Sequence, residues 1–210
     1  MVFRLNNDLI FPPTELAEPD GLLAVGGDLS VARLQLAYQS GIFPWYSDDT
    51  PILWYAPHER FVLFPQELRI SKSMQKIIKQ NVFTVTWDKA FADVISACSQ
   101  VPRSGQDGTW ITEDMKEAYV RLHHHGIAHS VEVWQNNKLV GGAYGVEVGN
   151  VFCGESMFSK VSNASKIALI ILCQTEKYKL IDCQVYTEHL ESMGARMISR
   201  EEYMAILSEP

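Results

Sequence analysis

Three apolar segments, residues 129–134, 138–148 and 151–158, follow one another with only Asn136-Asn137 and Gly149-Asn150 between them. Asn and Gly tolerate the positive φ that tight hairpins need, so neighbouring segments are predicted to pair antiparallel as a three-strand meander. A chain built around such a block must cover the sheet faces with its remaining elements. Upstream, Ser71 caps a predicted helix whose Met74, Ile77 and Ile78 oppose Lys72, Lys76 and Lys79, and Phe83, Val85 and Trp87 then alternate as a strand. Helices follow from Lys89 (Phe91, Val94, Ile95, Cys98) and after Thr112 (Met115, Tyr119, Leu122), the second ending at Gly126. Downstream, Asn163 opens an apolar helix, residues 180–186 return as a strand, and Ser199 with Glu202 forms a capping box for a last helix. The fold class is therefore mixed α/β.

The first sixty residues read differently. Pro12, Pro13, Pro19, Gly21, Gly26, Gly27, Gly41, Pro44, Pro51 and Pro57 break every apolar run, and one clear helix starts after Ser30 with Val31, Leu34 and Tyr38 on one face. We expect a small irregular domain over residues 1–62 and a regular domain over 63–210. With 210 residues and 47% apolar content the chain can bury a full core. No segment has the length of a membrane span or the pattern of a signal peptide, so the expected location is the cytoplasm, with no membrane partner. Cys98, Cys153, Cys173 and Cys183 lie far apart, a usage of reduced thiols rather than zinc ligands, and no metal is expected. A net charge of −7 restricts any nucleic-acid contact to a local patch.

Several tempting motifs fail on geometry. His123, His124 and His125 are consecutive on a helix and cannot converge on one ion. Ser156 lacks the second glycine of a nucleophile elbow, since Phe158 stands there. The glycines of 139–145 lack the Walker lysine and continue as strand, which reads as a closely approached or bulged strand. Asp182 and Gln184, two apart in an apolar strand, are predicted to face the same way, and Glu155 is a second acid in an apolar strand. Together they outline an apolar pocket with polar teeth, although a satisfied core carboxylate is the plainer reading of each acid alone. Arg69, Lys72, Lys76 and Lys79 form a basic stripe, and Trp45 and Trp110 offer ring faces in loop-like sequence, a combination suited to one nucleic-acid end.

With these residues in view, the chain resembles the leucyl/phenylalanyl-tRNA–protein transferase family over nearly its whole length. The resemblance is carried by the run from Glu18-Pro19-Asp20-Gly21 to Gly26-Gly27-Asp28-Leu29-Ser30, by Gly41-Ile42-Phe43-Pro44-Trp45, and by Gly108-Thr109-Trp110-Ile111-Thr112. Val140-Gly141-Gly142, Phe152-Cys153-Gly154-Glu155-Ser156-Met157-Phe158, Asn163-Ala164-Ser165-Lys166 and Leu180-Ile181-Asp182-Cys183-Gln184 follow in the same order. It implies a GNAT-type acyltransferase domain behind a small N-terminal one. It also implies a bacterial enzyme that moves leucine, phenylalanine or methionine from aminoacyl-tRNA to proteins with N-terminal Arg or Lys, marking them for degradation by the N-degron pathway. By the same resemblance Asp182 and Gln184 are the catalytic centre, and Glu155 and Tyr38 bind substrate. Phe152, Met157, Leu169 and Ile181 would line the side-chain pocket, and Trp45 and Trp110 would border the tRNA end; the basic stripe Arg69, Lys72, Lys76 and Lys79, read from its spacing and not from the resemblance, is expected to bind the tRNA. The segment between Cys173 and Leu180 is shorter than the family pattern.

The implied chemistry needs no cofactor, because an aminoacyl ester is already activated and requires only attack by a neutral amine. Asp182 is expected either to accept the amine proton or to act mainly by placing the acceptor, with Gln184 holding the amine or orienting Asp182. An acetyl-CoA-dependent relative would need a glycine-rich pyrophosphate loop where this chain has Ser162-Asn163-Ala164-Ser165. The motifs above argue against a transferase that builds peptidoglycan bridges, and the presence of Asp182 and Gln184 argues against an inert tRNA-end or N-terminal-residue binding module.

Overall fold

The computed structural model describes residues 2–101 and 111–209. In the punctuated first part, β1 (Phe3–Leu5), β2 (Leu22–Gly26), helix α1 (Val31–Gln39), β3 (Phe43–Pro44) and β4 (Leu53–Tyr55) follow in sequence. The strands make a four-stranded sheet in the order β1-β2-β4-β3. Helix α1 starts where the sequence places it, with Ser30 Oγ accepting the Arg33 N–H at 3.3 Å.

The chain then passes through β5 (Glu59–Leu63), α2 (Lys72–Gln80), β6 (Thr84–Trp87), α3 (Phe91–Ser99), α4 (Glu113–His124), β7 (Ala128–Gln135), β8 (Lys138–Val148) and β9 (Val151–Ser159). It closes with α5 (Ala164–Cys173), β10 (Leu180–Gln184), α6 (Glu188–Ser192), β11 (Arg196–Ser199) and α7 (Arg200–Leu207). The second sheet has seven strands in the order β11-β5-β10-β9-β8-β7-β6. The meander is present as β7-β8-β9, with Asn136 (φ 51°) and Asn137 (φ 59°) in the conformation their hairpin requires. Helix α5 then crosses over to set β10 parallel to β9, and the early strand β5 pairs antiparallel on the far side of β10.

Two apolar clusters cover the two faces of this sheet. One joins Leu34, Tyr38 and Trp54 of the first part to Val94, Tyr119, Tyr144 and Tyr203, so both sheets share a continuous core. The other packs Val131, Phe152 and Ile181 against Ala168 and Leu169 of α5 and Leu190 of α6. Leu180 lies in the first cluster and Ile181 in the second, as strand alternation demands. Helix α3 lacks a capping side chain of its own, and the two backbone amides that lead into it, those of Lys89 and Ala90, are met by the buried Glu132 of β7. That carboxylate accepts from the Lys89 and Ala90 N–H groups at 3.4 Å and from Thr86 and Ser130 hydroxyls at 2.5 Å. No helix among the described residues is long and apolar enough to cross a membrane.

The glycine-rich stretch of β8 is a closely approached strand. A Cβ at Gly145 would lie 2.3 Å from the Cys153 carbonyl oxygen, and the pairing of β8 with β9 slips by one residue between Tyr144 and Gly145. Gly154 pairs with Gly145 and Ser156 with Tyr144, so Glu155 is the extra residue of a bulge.

Candidate active site

Strand β10 is hydrogen-bonded to β9 only over Leu180–Asp182, opposite Val151 to Cys153. Beyond that point β9 runs on with β8 alone, and a cavity of about 560 Å³ is lined by the ends of β9 and β10 where they part. This volume is that of a site enclosing a whole small ligand. Its floor is apolar, built from Phe152, Met157, Leu169, Leu172, Ile181 and Leu190, so the structure brings Phe152, Met157, Leu169 and Ile181 together around one cavity. Trp45 stands at the rim, 5.9 Å from the Tyr55 ring. Glu155, Asp182 and Gln184 supply the polar side.

The bulge in β9 turns Glu155 away from the alternation of its strand and toward the cavity. Its carboxylate is 6% exposed; Oε1 accepts from the Tyr38 hydroxyl and from Gln184 Nε2, both at 2.7 Å, and Oε2 accepts from the Tyr119 hydroxyl at 3.0 Å. Burial pushes its carboxyl up to about 7, opposed by those three hydrogen bonds and assisted by the negative charge of Asp182. The Tyr38 and Tyr119 phenols, buried and close to Glu155, are driven upward and stay neutral donors. Among the described residues Glu155 forms no ion pair, leaving a carboxylate without a compensating cation at the edge of an apolar cavity.

Asp182 differs in kind. It is fully buried; Oδ1 accepts the Gln184 N–H at 2.9 Å and Arg60 Nε at 3.4 Å, while Oδ2 accepts from Arg60 Nη2 and from the Tyr203 hydroxyl at 3.0 Å. Two points of the sequence reading need correction here. Asp182 and Gln184 do not share a face through simple strand alternation, because the register against β5 shifts between them and Gln184 takes φ 59°. The backbone turn, not the two-residue period, sends Gln184 toward Glu155. An Asp182 with both oxygens engaged by a guanidinium, a phenol and an amide is also poorly placed to accept an amine proton.

Tyr38 is a third correction, since it is 1% exposed and braces Glu155 from behind instead of forming the cavity wall. Trp110 lies outside the described residues. Arg69, Lys72, Lys76 and Lys79 are exposed on and just before α2 and do not line the cavity. The Arg69 N–H donates to Met193 O at 2.8 Å, which sets the start of this stripe beside α6, whose His189 and Leu190 border the cavity. The sequence reading missed Arg60 and Tyr203 as site neighbours. Arg60 precedes the apolar run Phe61-Val62-Leu63 in a five-residue strand buried on both faces, too short for any periodicity to single it out. Tyr203, inside a short capped helix, carried no signal either.

A family model described as leucyl/phenylalanyl-tRNA protein transferase matches residues 62–208, and the model for that family's N-terminal domain matches residues 27–58. A protein of Flavobacterium johnsoniae named leucyl/phenylalanyl-tRNA–protein transferase is 59% identical, over 98% of this chain and 99% of its own length. One of the same name from Syntrophobacter fumaroxidans is 58% identical, over 99% of this chain and 90% of its own. Among solved structures, FemX matches with a TM-score of 0.48 at 10% identity, over 84% of this chain and 71% of its own. A GCN5-related N-acetyltransferase from Kribbella flavida matches with a TM-score of 0.37 at 8% identity, over 76% and 57%.

Proposed function

The chain belongs to the leucyl/phenylalanyl-tRNA–protein transferase family, and from that premise we propose that it moves leucine, phenylalanine or methionine from charged tRNA to the α-amine of proteins beginning with Arg or Lys. The observation that carries this reading is the Glu155 carboxylate beside an apolar cavity, held by Tyr38, Tyr119 and Gln184 and by no cation among the described residues. An apolar cavity takes an uncharged side chain, and a lone carboxylate attracts the amines that must meet there.

The acceptor nitrogen attacks the ester carbonyl carbon, the bond from that carbon to the ribose oxygen of the tRNA end breaks, and one proton passes from the amine to that oxygen. Glu155, raised to about 7, accepts the amine proton near neutral pH and returns it to the departing ribose oxygen. Gln184 holds Glu155 and presents its amide to the cavity. Asp182 keeps its place at the centre as a positioning group for Gln184. Because the donor ester is already activated, the scheme contains no step for ATP, a metal or another cofactor. Trp45 borders the tRNA end, and Arg69, Lys72, Lys76 and Lys79 hold its phosphates. A donor of this kind places the enzyme in the cytoplasm, and its product is a substrate for N-degron degradation.

The test mixes the purified protein with labelled leucyl-tRNA and peptides starting with arginine, lysine or alanine. Label is expected in the first two peptides. Equal labelling of the alanine peptide removes the acceptor half of the proposal, and no labelling of any peptide removes the whole.

A further inference from the structure

Two buried side chains that the reaction scheme leaves unassigned sit directly behind its centre. Arg60 is 2% exposed and Tyr203 1%. The Arg60 guanidinium lies between two rings, its Cζ 4.9 Å from the Phe43 centroid and 4.3 Å from that of Tyr203. Its Nη1 donates to Gly41 O at 2.8 Å, and its remaining nitrogens face Asp182. The Tyr203 hydroxyl completes the same carboxylate from α7. Helix α7 is seated tightly on the first part of the chain, for a Cβ at Gly41 (φ 70°) would come within 2.6 Å of Met204 Sδ. One carboxylate thus joins β5, β10, the last helix and the loop after α1.

What Asp182 does with this support is visible two residues on. Gln184 occupies the left-handed region, which an ordinary L-residue adopts only when its surroundings hold it there. The hold is the Gln184 N–H to Asp182 Oδ1 hydrogen bond at 2.9 Å, and in that conformation Nε2 reaches Glu155 Oε1 at 2.7 Å. If Asp182 moves, the turn loses its acceptor and the amide loses its aim.

We propose that Arg60 and Tyr203 are positioning residues of the transfer reaction, acting through Asp182 on the Gln184 turn that directs its amide at Glu155. The inference rests on the assignment of Glu155 and Gln184 to the reaction centre. It makes the last helix of the chain a part of the active site, although α7 lies outside the cavity.

A double-mutant cycle between Tyr203→Phe and Gln184→Ala tests it, with transfer from leucyl-tRNA to an arginine-initiated peptide and thermal unfolding measured on the same preparations. Tyr203→Phe keeps the ring against Arg60 and removes only the hydroxyl. We expect an unfolding temperature lowered by about 3–12 °C, the cost of losing one buried hydrogen bond to a charged group, a KM for leucyl-tRNA within about twofold, and a kcat lowered about tenfold as the turn loses its aim. In the Gln184→Ala background the same substitution should cost less than about twofold, because the turn no longer has an amide to aim. Arg60→Lys, which keeps the charge but loses the fork, should follow the same pattern with a larger first loss, and it carries the cycle if Tyr203→Phe does not fold. A folded variant with wild-type kcat overturns the proposal. So does an equal fold-loss in both backgrounds, which would mean that the pair acts independently of Gln184. If Gln184→Ala alone transfers at the wild-type rate, the assignment of the reaction centre fails first and the inference falls with it.

Discussion

Replacing Glu155 with glutamine keeps the size of the side chain and removes its titration, so the proton role assigned to it can be read from pH dependence. With a carboxyl near 7, about one molecule in a hundred is ionised at pH 5 and about half at pH 7. If transfer needs the ionised form, log rate rises with unit slope over pH 5 to 6.5 from Glu155 alone. The acceptor α-amine, with an ordinary value of about 7.7–8.0, contributes a second unit over the same range. The wild-type enzyme should therefore show a slope near 2, and Glu155→Gln a slope near 1 on a lower baseline. Stability supplies an independent reading. The folded value lies above the unfolded one of about 4.5, so the contribution is fully present below pH 4.5 and is lost as pH rises through 7. At about 1.4 kcal/mol per unit this is on the order of 3 kcal/mol, an upper figure for a 6%-exposed group. Glu155→Gln should flatten that decline in denaturant titrations at pH 4.5, 6 and 7.5. Single-turnover transfer with saturating leucyl-tRNA, restricted to pH 5–7 to limit ester hydrolysis, gives the slopes. Identical slopes in both proteins would refute the proton role, and a pH-independent stability difference would refute the raised value behind it.

Four other outcomes follow from the same geometry. Asp182→Asn should slow transfer steeply and also destabilise the fold by about 3–5 kcal/mol, because Arg60 is left as a buried charge without its partner; a stable variant with normal turnover contradicts the central place of Asp182. Met157→Asp puts a charge into the apolar floor and should abolish leucine transfer while calorimetry still shows a normal unfolding transition; efficient transfer by the folded variant takes Met157 out of the pocket. Reversing Lys72, Lys76 and Lys79 to glutamate should lower the salt dependence of tRNA binding by about 2–3 units of log–log slope and spare a short aminoacyl-adenosine donor; equal loss on both donors makes the stripe a plain solvated face. Glu132→Ala strips the Lys89 and Ala90 amides that lead into α3 and two hydroxyls of their acceptor, an expected loss of about 3 kcal/mol or roughly 6–12 °C in Tm, with transfer per folded molecule unchanged.

Much of the fold was legible because local chemistry decides it. Ser30, Ser71, Thr112 and Ser199 each cap the helix that follows them, and Asn136 and Asn137 close the hairpin expected of them. That Phe152, Met157, Leu169 and Ile181 gather at one cavity follows from the apolar segments that carry them, each an apolar position of β9, α5 or β10. Strand β5 was not legible, since five residues between Pro57 and Pro65 give too short a run to show periodicity, and its partners β10 and β11 lie more than a hundred residues downstream.

The sequence by itself determined which residue types were available: two acids and an amide in apolar strands, a basic helix face, and the elements that carry them. Only the tertiary structure decided how these divide the work. Asp182 and Glu155 look alike in sequence, each a carboxylate in an apolar strand, yet one is neutralised by Arg60 and the other, beside the cavity, has no cation partner among the described residues. That difference arises from a bulge in β9, a left-handed turn at Gln184, and an arginine arriving from a strand 122 residues away. A carboxylate's protonation and reach depend on burial and on the charges around it, and those are set by long-range packing that no local pattern of residues encodes.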